Sequence, residues 1–239
     1  MNKLRLDYFV HKIGLAETRS QAENYIKLGY ITVDGAIITK PGYFVREDAK
    51  IANIQGKKYV GRAGLKLASV AETLRLKFKD KAVLDVGSST GGFTDYALQN
   101  GAKKVYAVDV GTDQLHPSLH GNPKIELHEK TDIRNFVPEQ LPDIVVMDVS
   151  FISLREILPH IAGISGPKTL VVAMLKPQFE AGASTKHKGV IKNDAVRREI
   201  MKDFELWVKQ YFTVLDKADS DVAGAKGNRE RFYLLKPNR

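Results

Sequence analysis

The chain has 239 residues, 43% of them apolar, a formal net charge of +9 and no cysteine. This length suits one large domain or two unequal ones. The lack of cysteine excludes disulfides, thiolate metal sites and cysteine nucleophiles. No apolar run reaches the ~18 residues of a membrane-spanning helix, and no secretion signal opens the chain, so we expect a cytoplasmic protein without stable membrane association. No metal site is expected.

Two short helices are predicted at the start of the chain. Apolar residues recur at helical spacing in RLDYFVHKIG, and Gly14 can end that helix. Thr18 and Gln21 have the spacing of a capping box for a second helix, which Gly29 can end. These helices are too short to bury more than a small core.

A tight hairpin follows, because ITVDGAII has the pattern of a strand, an Asp-Gly turn and a second strand. KPGYFV adds another turn and strand before this segment closes near Ile54. Residues 1–66 contain 12 Lys and Arg against 6 Asp and Glu, which is +6 of the total charge of +9. Lys12, Arg19 and Lys27 can form a basic helical face. This balance predicts a polyanionic partner, with solubilising charge as the alternative.

The motifs RLD, TRSQA, IKLG and VDG, at residues 5–7, 18–22, 26–29 and 33–35, together resemble the small RNA-binding domain first seen in ribosomal protein S-four. The resemblance implies binding of structured RNA through phosphate contacts that position it without reading its sequence. The residues expected to contact RNA are Arg5, Lys12, Arg19 and Lys27. We expect this domain over residues 1–56, a linker over 57–62 and a second domain over 63–239.

Alternating helices and strands are predicted after the linker. An amphipathic helix over residues 63–74 precedes strands at 83–86, 105–109, 144–147, 170–175, 212–215 and 231–235. The alternation predicts an α/β fold, in which a Rossmann-like parallel sheet has helices on both faces and binds ligands at the carboxyl ends of its strands. Residues 177–193 are predicted to form a mobile loop over that edge.

The stretch VLDVGSSTGGFTD joins the first of these strands to a helix through a glycine-rich turn. A P-loop requires a lysine where Phe93 stands, and the dinucleotide fingerprint requires a glycine where Ser89 stands. Gly87, Ser89 and Gly91 match the nucleophile elbow of hydrolases, but none of the six His residues has a supporting motif. The turn therefore disfavours phosphate ligands and leaves hydrolysis as a minor alternative.

Three acids that follow apolar segments suit an adenosine ligand without phosphate. Asp85 can attract the cationic amino acid end of S-adenosylmethionine, Asp109 can accept the ribose hydroxyls, and Asp132 can face the adenine edge. For any one of them alone, capping of the next helix is the alternative. Together they predict S-adenosylmethionine as the cofactor. The residues expected to bind it are Asp85, Gly87, Ser88, Gly91, Asp109 and Asp132.

Two lysines and two acids from four distant segments are expected at the same sheet edge. Asp148 ends the strand in DIVVMDVSFIS and Lys176 ends the strand in VVAMLKPQFE, while Lys66 precedes the first strand and Glu230 the last. A lysine can deprotonate a ribose 2′-hydroxyl if neutral, or stabilise the developing alkoxide if charged. The sequence DVSF lacks the proline pair of amino-directed methyltransferases, which disfavours an exocyclic amine as the methyl acceptor. Solvated surface charge is the alternative for each residue taken singly.

The RNA-binding motifs together with KYVGRAGLKL, VLDVGSSTGGFTD, VVMDVSFIS, LKPQFE and GNRERF resemble the TlyA family of rRNA 2′-O-methyltransferases, and the second domain is similar to the wider FtsJ group. The resemblance implies a Lys-Asp-Lys-Glu catalytic tetrad at Lys66, Asp148, Lys176 and Glu230. It also implies methylation of a cytidine ribose in ribosomal RNA or ribosomal subunits. Members are also labelled haemolysins, so a membrane-active protein is one alternative, and an RNA-binding protein with an inactive methyltransferase domain is another.

Overall fold

The structure, a computed structural model, describes residues 3–16, 18–53, 59–181, 191, 193–222 and 229–238. The chain divides into two compact units, Met1–Arg62 and Ala63–Arg239. The linker expected over residues 57–62 lies partly outside the described residues, as does most of the loop expected over 177–193. The described start of that loop is a helical turn, so the prediction of irregular structure is wrong there.

The first unit packs two helices against short antiparallel strands. Strands β2, β3 and β5 form one sheet, and β1 pairs with β4 in another. The predicted cap is present, since Thr18 Oγ1 accepts a hydrogen bond from the Gln21 N–H at 3.1 Å. The predicted hairpin turn is present too, with φ of +49° at Asp34 and +84° at Gly35. The elements are β1 (Lys3–Arg5), α1 (Leu6–Lys12), α2 (Arg19–Lys27), β2 (Ile31–Val33), β3 (Ala36–Ile37), β4 (Phe44–Arg46) and β5 (Ile51–Asn53).

The second unit is built on a seven-stranded sheet in the order β11-β12-β10-β9-β6-β7-β8. Its elements are α3 (Arg62–Ala71), β6 (Ala82–Val86), α4 (Gly92–Gln99), β7 (Lys104–Val108), β8 (Ile125–His128), β9 (Ile144–Met147), α5 (Leu154–Gly163), β10 (Leu170–Leu175), α6 (Pro177–Glu180), α7 (Asp194–Val208), β11 (Phe212–Asp219) and β12 (Arg231–Pro237). The central strands are buried apolar runs, as expected when both faces of a sheet are covered. The predicted Rossmann-like α/β fold is confirmed.

The prediction of a wholly parallel sheet is wrong at β12, which runs against both of its neighbours. Strands β8, β7, β6, β9 and β10 run parallel, whereas β12 is antiparallel to both β10 and β11. Only residues 220–230 separate β11 from β12, and a parallel pair needs a crossover of about a dozen residues or more, usually with a helix. Strand β8 was not predicted, because IELH is a short edge strand without a fully buried residue.

Two possible features are not found in the part of the chain that the structure describes. No helix there is both long and apolar enough to cross a membrane. The same residues contain no group of three or more His, Cys, Asp or Glu side chains arranged to hold a metal ion.

Candidate active site

A cavity of about 360 Å³ opens at the carboxyl ends of β6, β7 and β9. Parallel strands end at a common edge, which is where open α/β sheets bind their ligands. The cavity is lined by three carboxylates, those of Asp109, Asp132 and Asp148, and by no Lys or Arg among the described residues. This charge distribution repels a pyrophosphate and suits a neutral or cationic ligand.

The turn after β6 brings the chain close to the end of β9. Gly87 has a φ of +79°, and a Cβ at this position would lie 2.9 Å from the Asp148 carbonyl oxygen, so only glycine fits. Ser89 has a φ of +45°, and its N–H donates to Asp109 Oδ2 at 2.8 Å. Gly91 then caps α4 with a left-handed backbone. The turn is therefore packed against neighbouring strand ends.

Asp109, the predicted ribose acceptor, lines the cavity just after β7. Its Oδ2 accepts the Ser89 N–H, and its Oδ1 accepts the Gly111 N–H at 2.7 Å. Each carboxylate oxygen has a second lone pair, so both can also accept a hydroxyl donor. The backbone bonds hold the carboxylate in one orientation.

Asp85 is fully buried on β6, directly before the turn. Thr94 Oγ1 donates to its Oδ2 at 2.6 Å, whereas its Oδ1 has no hydrogen-bond partner among the described residues. The Oγ of Ser88, which is also buried, lacks a partner in the same part of the chain. Burial, together with the charges of Asp148 and Asp109, raises the pKa of Asp85 to about 7, although the Thr94 hydrogen bonds lower it. A buried unpaired carboxylate oxygen fits a cationic ligand group.

Asp132 also lines the cavity, but its carboxylate is held by Arg134. The Nε and Nη2 atoms of Arg134 donate to it at 2.6–3.1 Å, and the Arg134 N–H donates at 2.9 Å. These hydrogen bonds lower the pKa of Asp132 to about 2. By accepting the Arg134 N–H, Asp132 caps a short 3-10 turn. Contact of Asp132 with an adenine ring stays a prediction.

Lys176 and Asp148 meet at the ends of two adjacent parallel strands, β10 and β9. Lys176 Nζ lies 2.6 Å from Asp148 Oδ1 and donates a hydrogen bond to Ser150 Oγ at 2.7 Å. The lysine side chain is only 10% exposed. An ammonium group has three N–H donors, so one remains for a substrate atom.

Lys66 and Glu230 form a second ion pair at this edge, with Lys66 Nζ 2.5 Å from Glu230 Oε2. Both side chains are nearly buried, at 10% and 4% exposed. The antiparallel register pairs Leu175 with Arg231, so Glu230 lies across from Lys176. The four predicted residues are thus brought together as two ion pairs on neighbouring segments.

Three residues near the predicted site were not found from the sequence. Ser150 binds Lys176, Thr94 binds Asp85, and Gln114 Oε1 accepts a hydrogen bond from Ser89 Oγ at 3.0 Å. Of these three, only Ser150 has a position in the sequence that could indicate a role in the site. It stands two residues after an Asp at the end of a strand, where a side chain can turn back toward the next strand. Gln114 and Thr94 carry no pattern that separates them from surface or helix residues.

In the first unit, the predicted RNA contacts Arg5 and Arg19 share one acid. The Nε and Nη2 atoms of both arginines donate to the Asp7 carboxylate at 2.8–3.1 Å. The Asp7 side chain is fully buried, whereas the arginine side chains are about half exposed. The Arg5 and Arg19 hydrogen bonds lower the pKa of Asp7 to about 2. Two guanidinium groups are therefore held side by side with a net positive charge.

The other two predicted RNA contacts form exposed ion pairs. Lys12 Nζ lies 3.9 Å from Glu47 Oε1, and Lys27 Nζ lies 3.4 Å from Glu23 Oε2. Exposed pairs of this kind contribute little to stability, so both lysines can exchange their partners for a phosphate.

Comparison with known families divides the chain in two. Residues 59–237 match the FtsJ-like methyltransferase family, and residues 4–51 match the S4 domain.

Related proteins match over most of the chain. A Bacillus subtilis protein provisionally named rRNA methyltransferase YqxC is 41% identical over 98% of this chain and 85% of its own. The Campylobacter jejuni 23S rRNA (cytidine-2′-O)-methyltransferase TlyA is 42% identical over 75% of this chain and 72% of its own. A solved structure of a candidate hemolysin from Streptococcus thermophilus has a TM-score of 0.75 and 37% identity, covering 100% of this chain and 90% of its own.

Proposed function

Because this chain belongs to the FtsJ-like methyltransferase family, and within it to the TlyA group, we propose that it transfers a methyl group from S-adenosylmethionine to a ribose 2′-hydroxyl of ribosomal RNA. The observation that carries the proposal is the placement of two lysine–acid pairs at the ligand-binding edge of the sheet. Cytidine is the proposed target nucleoside, since the Campylobacter relative is named for that activity. A cytoplasmic location follows from a ribosomal substrate.

The cavity residues support S-adenosylmethionine as the cofactor. When bound, it supplies an electrophilic methyl group on a cationic sulfur. Asp109 is oriented by two backbone N–H groups to accept ribose hydroxyls, and the unpaired Oδ1 of Asp85 suits the amino group. The remaining residues proposed to hold it are Gly87, Ser88, Gly91 and Asp132.

Lys176 is the group proposed to act on the target 2′-hydroxyl. Asp148 and Ser150 fix the position of its Nζ, which leaves one position on that nitrogen for the substrate oxygen. A neutral amine there takes up the hydroxyl proton, and an ammonium stabilises the developing negative charge. Lys66 and Glu230 complete the network as a buried ion pair beside it.

The first unit is proposed to bind structured RNA. Asp7 holds the guanidinium groups of Arg5 and Arg19 in a fixed arrangement, and planar guanidinium groups bind phosphate oxygens in pairs. Lys12 and Lys27 add positive charge. We propose a domain organisation of residues 1–56 for RNA binding, 57–62 as linker and 63–239 for catalysis.

A deoxynucleotide substrate tests the ribose assignment. We expect the protein to methylate a ribosomal RNA fragment, and to bind but not methylate the same fragment with a 2′-deoxynucleotide at the target position. Mapping 2′-O-methyl groups in rRNA from cells with and without the protein first identifies that position. Methyl transfer to the deoxy substrate would show that the base is the acceptor. Binding of RNA without any methyl transfer would favour an inactive methyltransferase domain.

A further inference from the structure

One nearly buried acid beside the catalytic pairs has no part in the mechanism above. Glu180 lies one helical turn after Lys176, and its side chain is 1% exposed. Its Oε2 accepts a hydrogen bond from Ser153 Oγ at 2.6 Å, and its Oε1 accepts the Leu154 N–H at 2.7 Å. Resting on the proposed function, we propose that Glu180 is a positioning residue, which holds Ser150 and thereby Lys176 in the geometry that methyl transfer requires.

Three groups of contacts join residues 148–154, which are the loop after β9 and the first residue of α5, to the segment after β10, residues 176–180. We call this set of contacts the brace. Its two polar contacts lie at the ends, and an aromatic contact with ring centroids 5.3 Å apart lies between them. In order from the strands, the contacts are Lys176 with Asp148 and Ser150, Phe179 with Phe151, and Glu180 with Ser153 and Leu154.

The loop needs an anchor at its far end. Phe151 has a φ of +67° and is 92% exposed. A bulky residue keeps a left-handed backbone only where its surroundings hold it. Because the Phe151 ring is exposed, its own burial contributes little to holding this backbone. Ser150 directly precedes Phe151, so relaxation of this backbone would move Ser150 Oγ away from Lys176 Nζ. Glu180 prevents the relaxation by fixing Ser153 and Leu154.

The surroundings of Glu180 favour this role over that of a surface charge. Burial raises its pKa, while the hydrogen bonds from Ser153 and Leu154 favour the ionised form. Both donors stand at the start of α5, where the helix dipole also favours an anion. Arg155 Nε lies 3.8 Å from Glu180 Oε2 and its Nη2 lies 2.6 Å from Asp203 Oδ2. Asp203 is thus an outer partner of the same arginine, outside the brace.

Steady-state kinetics on the full-length protein tests the brace. We expect Glu180→Gln to lower kcat about 10-fold and Glu180→Ala about 100-fold, because small displacements of reacting groups have effects of this size. The KM values for S-adenosylmethionine and for the rRNA fragment should change less than about 3-fold, since neither ligand loses a contact. Glutamine keeps one acceptor and the shape of the side chain, so Glu180→Gln should fold even if Glu180→Ala does not.

Asp203→Asn is the matched control. It removes an exposed acid, at 70% exposed, from the same arginine without touching Glu180, and we expect kcat to stay within about twofold of wild type. Trp207, the single tryptophan, lies under the Arg155 guanidinium at 5.4 Å. Its fluorescence should therefore respond to Asp203→Asn, which shows that the control altered its own contact.

Hydrogen exchange of the Leu154 amide provides a readout that does not depend on activity. We expect exchange at least about 10-fold faster in Glu180→Gln, because the acceptor of that N–H is weakened. A kcat within about twofold of wild type in both Glu180 variants, or an unchanged Leu154 exchange rate, would overturn the brace. A large rise in KM with unchanged kcat would also overturn it. Absence of methyl transfer by the wild type would instead contradict the proposed function, while the exchange measurement would still decide whether Glu180 holds the loop.

Discussion

Replacing Asp85 with asparagine is expected to stabilise the second unit above neutral pH and to weaken binding of S-adenosylmethionine. The folded protein raises the pKa of Asp85 from 3.8 to about 7, mainly because the side chain is fully buried. Between these two values the folded state holds the proton and the unfolded state does not. Wild-type stability should therefore decline as pH rises from about 3.8 to about 7 and level off above that window. Asparagine does not titrate, so its variant lacks this decline.

The size of the effect follows from the two pKa values. A shift from 3.8 to about 7 is roughly three units, and each unit corresponds to 1.36 kcal/mol, so the full difference is about 4 kcal/mol. More than half of it falls between pH 5 and pH 8. Asparagine can still accept the Thr94 hydrogen bond through its side-chain oxygen. The pH-dependent part of the difference therefore reports the buried charge and not the loss of that hydrogen bond.

Denaturant unfolding at pH 5 to 8, followed by Trp207 fluorescence, measures this difference. Trp207 is the single tryptophan and lies in the second unit, so the first unit does not contribute to the signal. Calorimetry should show that wild-type affinity for S-adenosylmethionine falls about tenfold per pH unit below pH 7, whereas the affinity of the variant, lower throughout, stays flat. A stability difference that does not change with pH would refute the reasoning.

Substitutions of Lys176, Asp109 and Arg19 test the proposed active site and the proposed RNA-binding surface. Lys176→Ala should leave cofactor and RNA affinity nearly intact but lower the single-turnover rate of methyl transfer by roughly 10²–10⁴-fold. Lys176→Arg should not restore that rate, because a guanidinium stays protonated. A restored rate in Lys176→Arg would contradict a proton-transfer role for Lys176. Asp109→Ala should weaken S-adenosylmethionine binding in calorimetry by about 1.5–3 kcal/mol, whereas Asp113→Asn, which removes the charge of an exposed acid in the same segment and tolerates its left-handed backbone, should not. Arg19→Ala should weaken RNA binding and reduce its salt slope by about one, and an unchanged slope in a filter-binding titration would argue against a phosphate contact.

Local patterns were sufficient for much of this fold. The helical spacing of apolar residues, the Thr18 cap, the Asp-Gly hairpin and four of the central strands are properties of short segments, so the sequence alone predicts them. The glycine turn after β6 also follows from sequence, because only glycine fits where Gly87 approaches the Asp148 carbonyl. The direction of β12 did not follow, since it depends on the short connection to β11 and not on the pattern of the strand itself.

The sequence by itself determined that Asp148 and Lys176 stand at the carboxyl ends of apolar strands, and hence at one edge of the sheet. Glu230, just before β12, reaches that edge only because β12 runs antiparallel to β10, and Lys66 reaches it from helix α3. Only the tertiary structure decided that Lys176 pairs with Asp148 and Lys66 with Glu230. Successive side chains in a strand point to opposite faces of the sheet, so the face on which each one lies follows from its position in the sequence. Which side chains meet across strands depends instead on register and on the path of the loops, and both are set by packing between segments far apart in sequence.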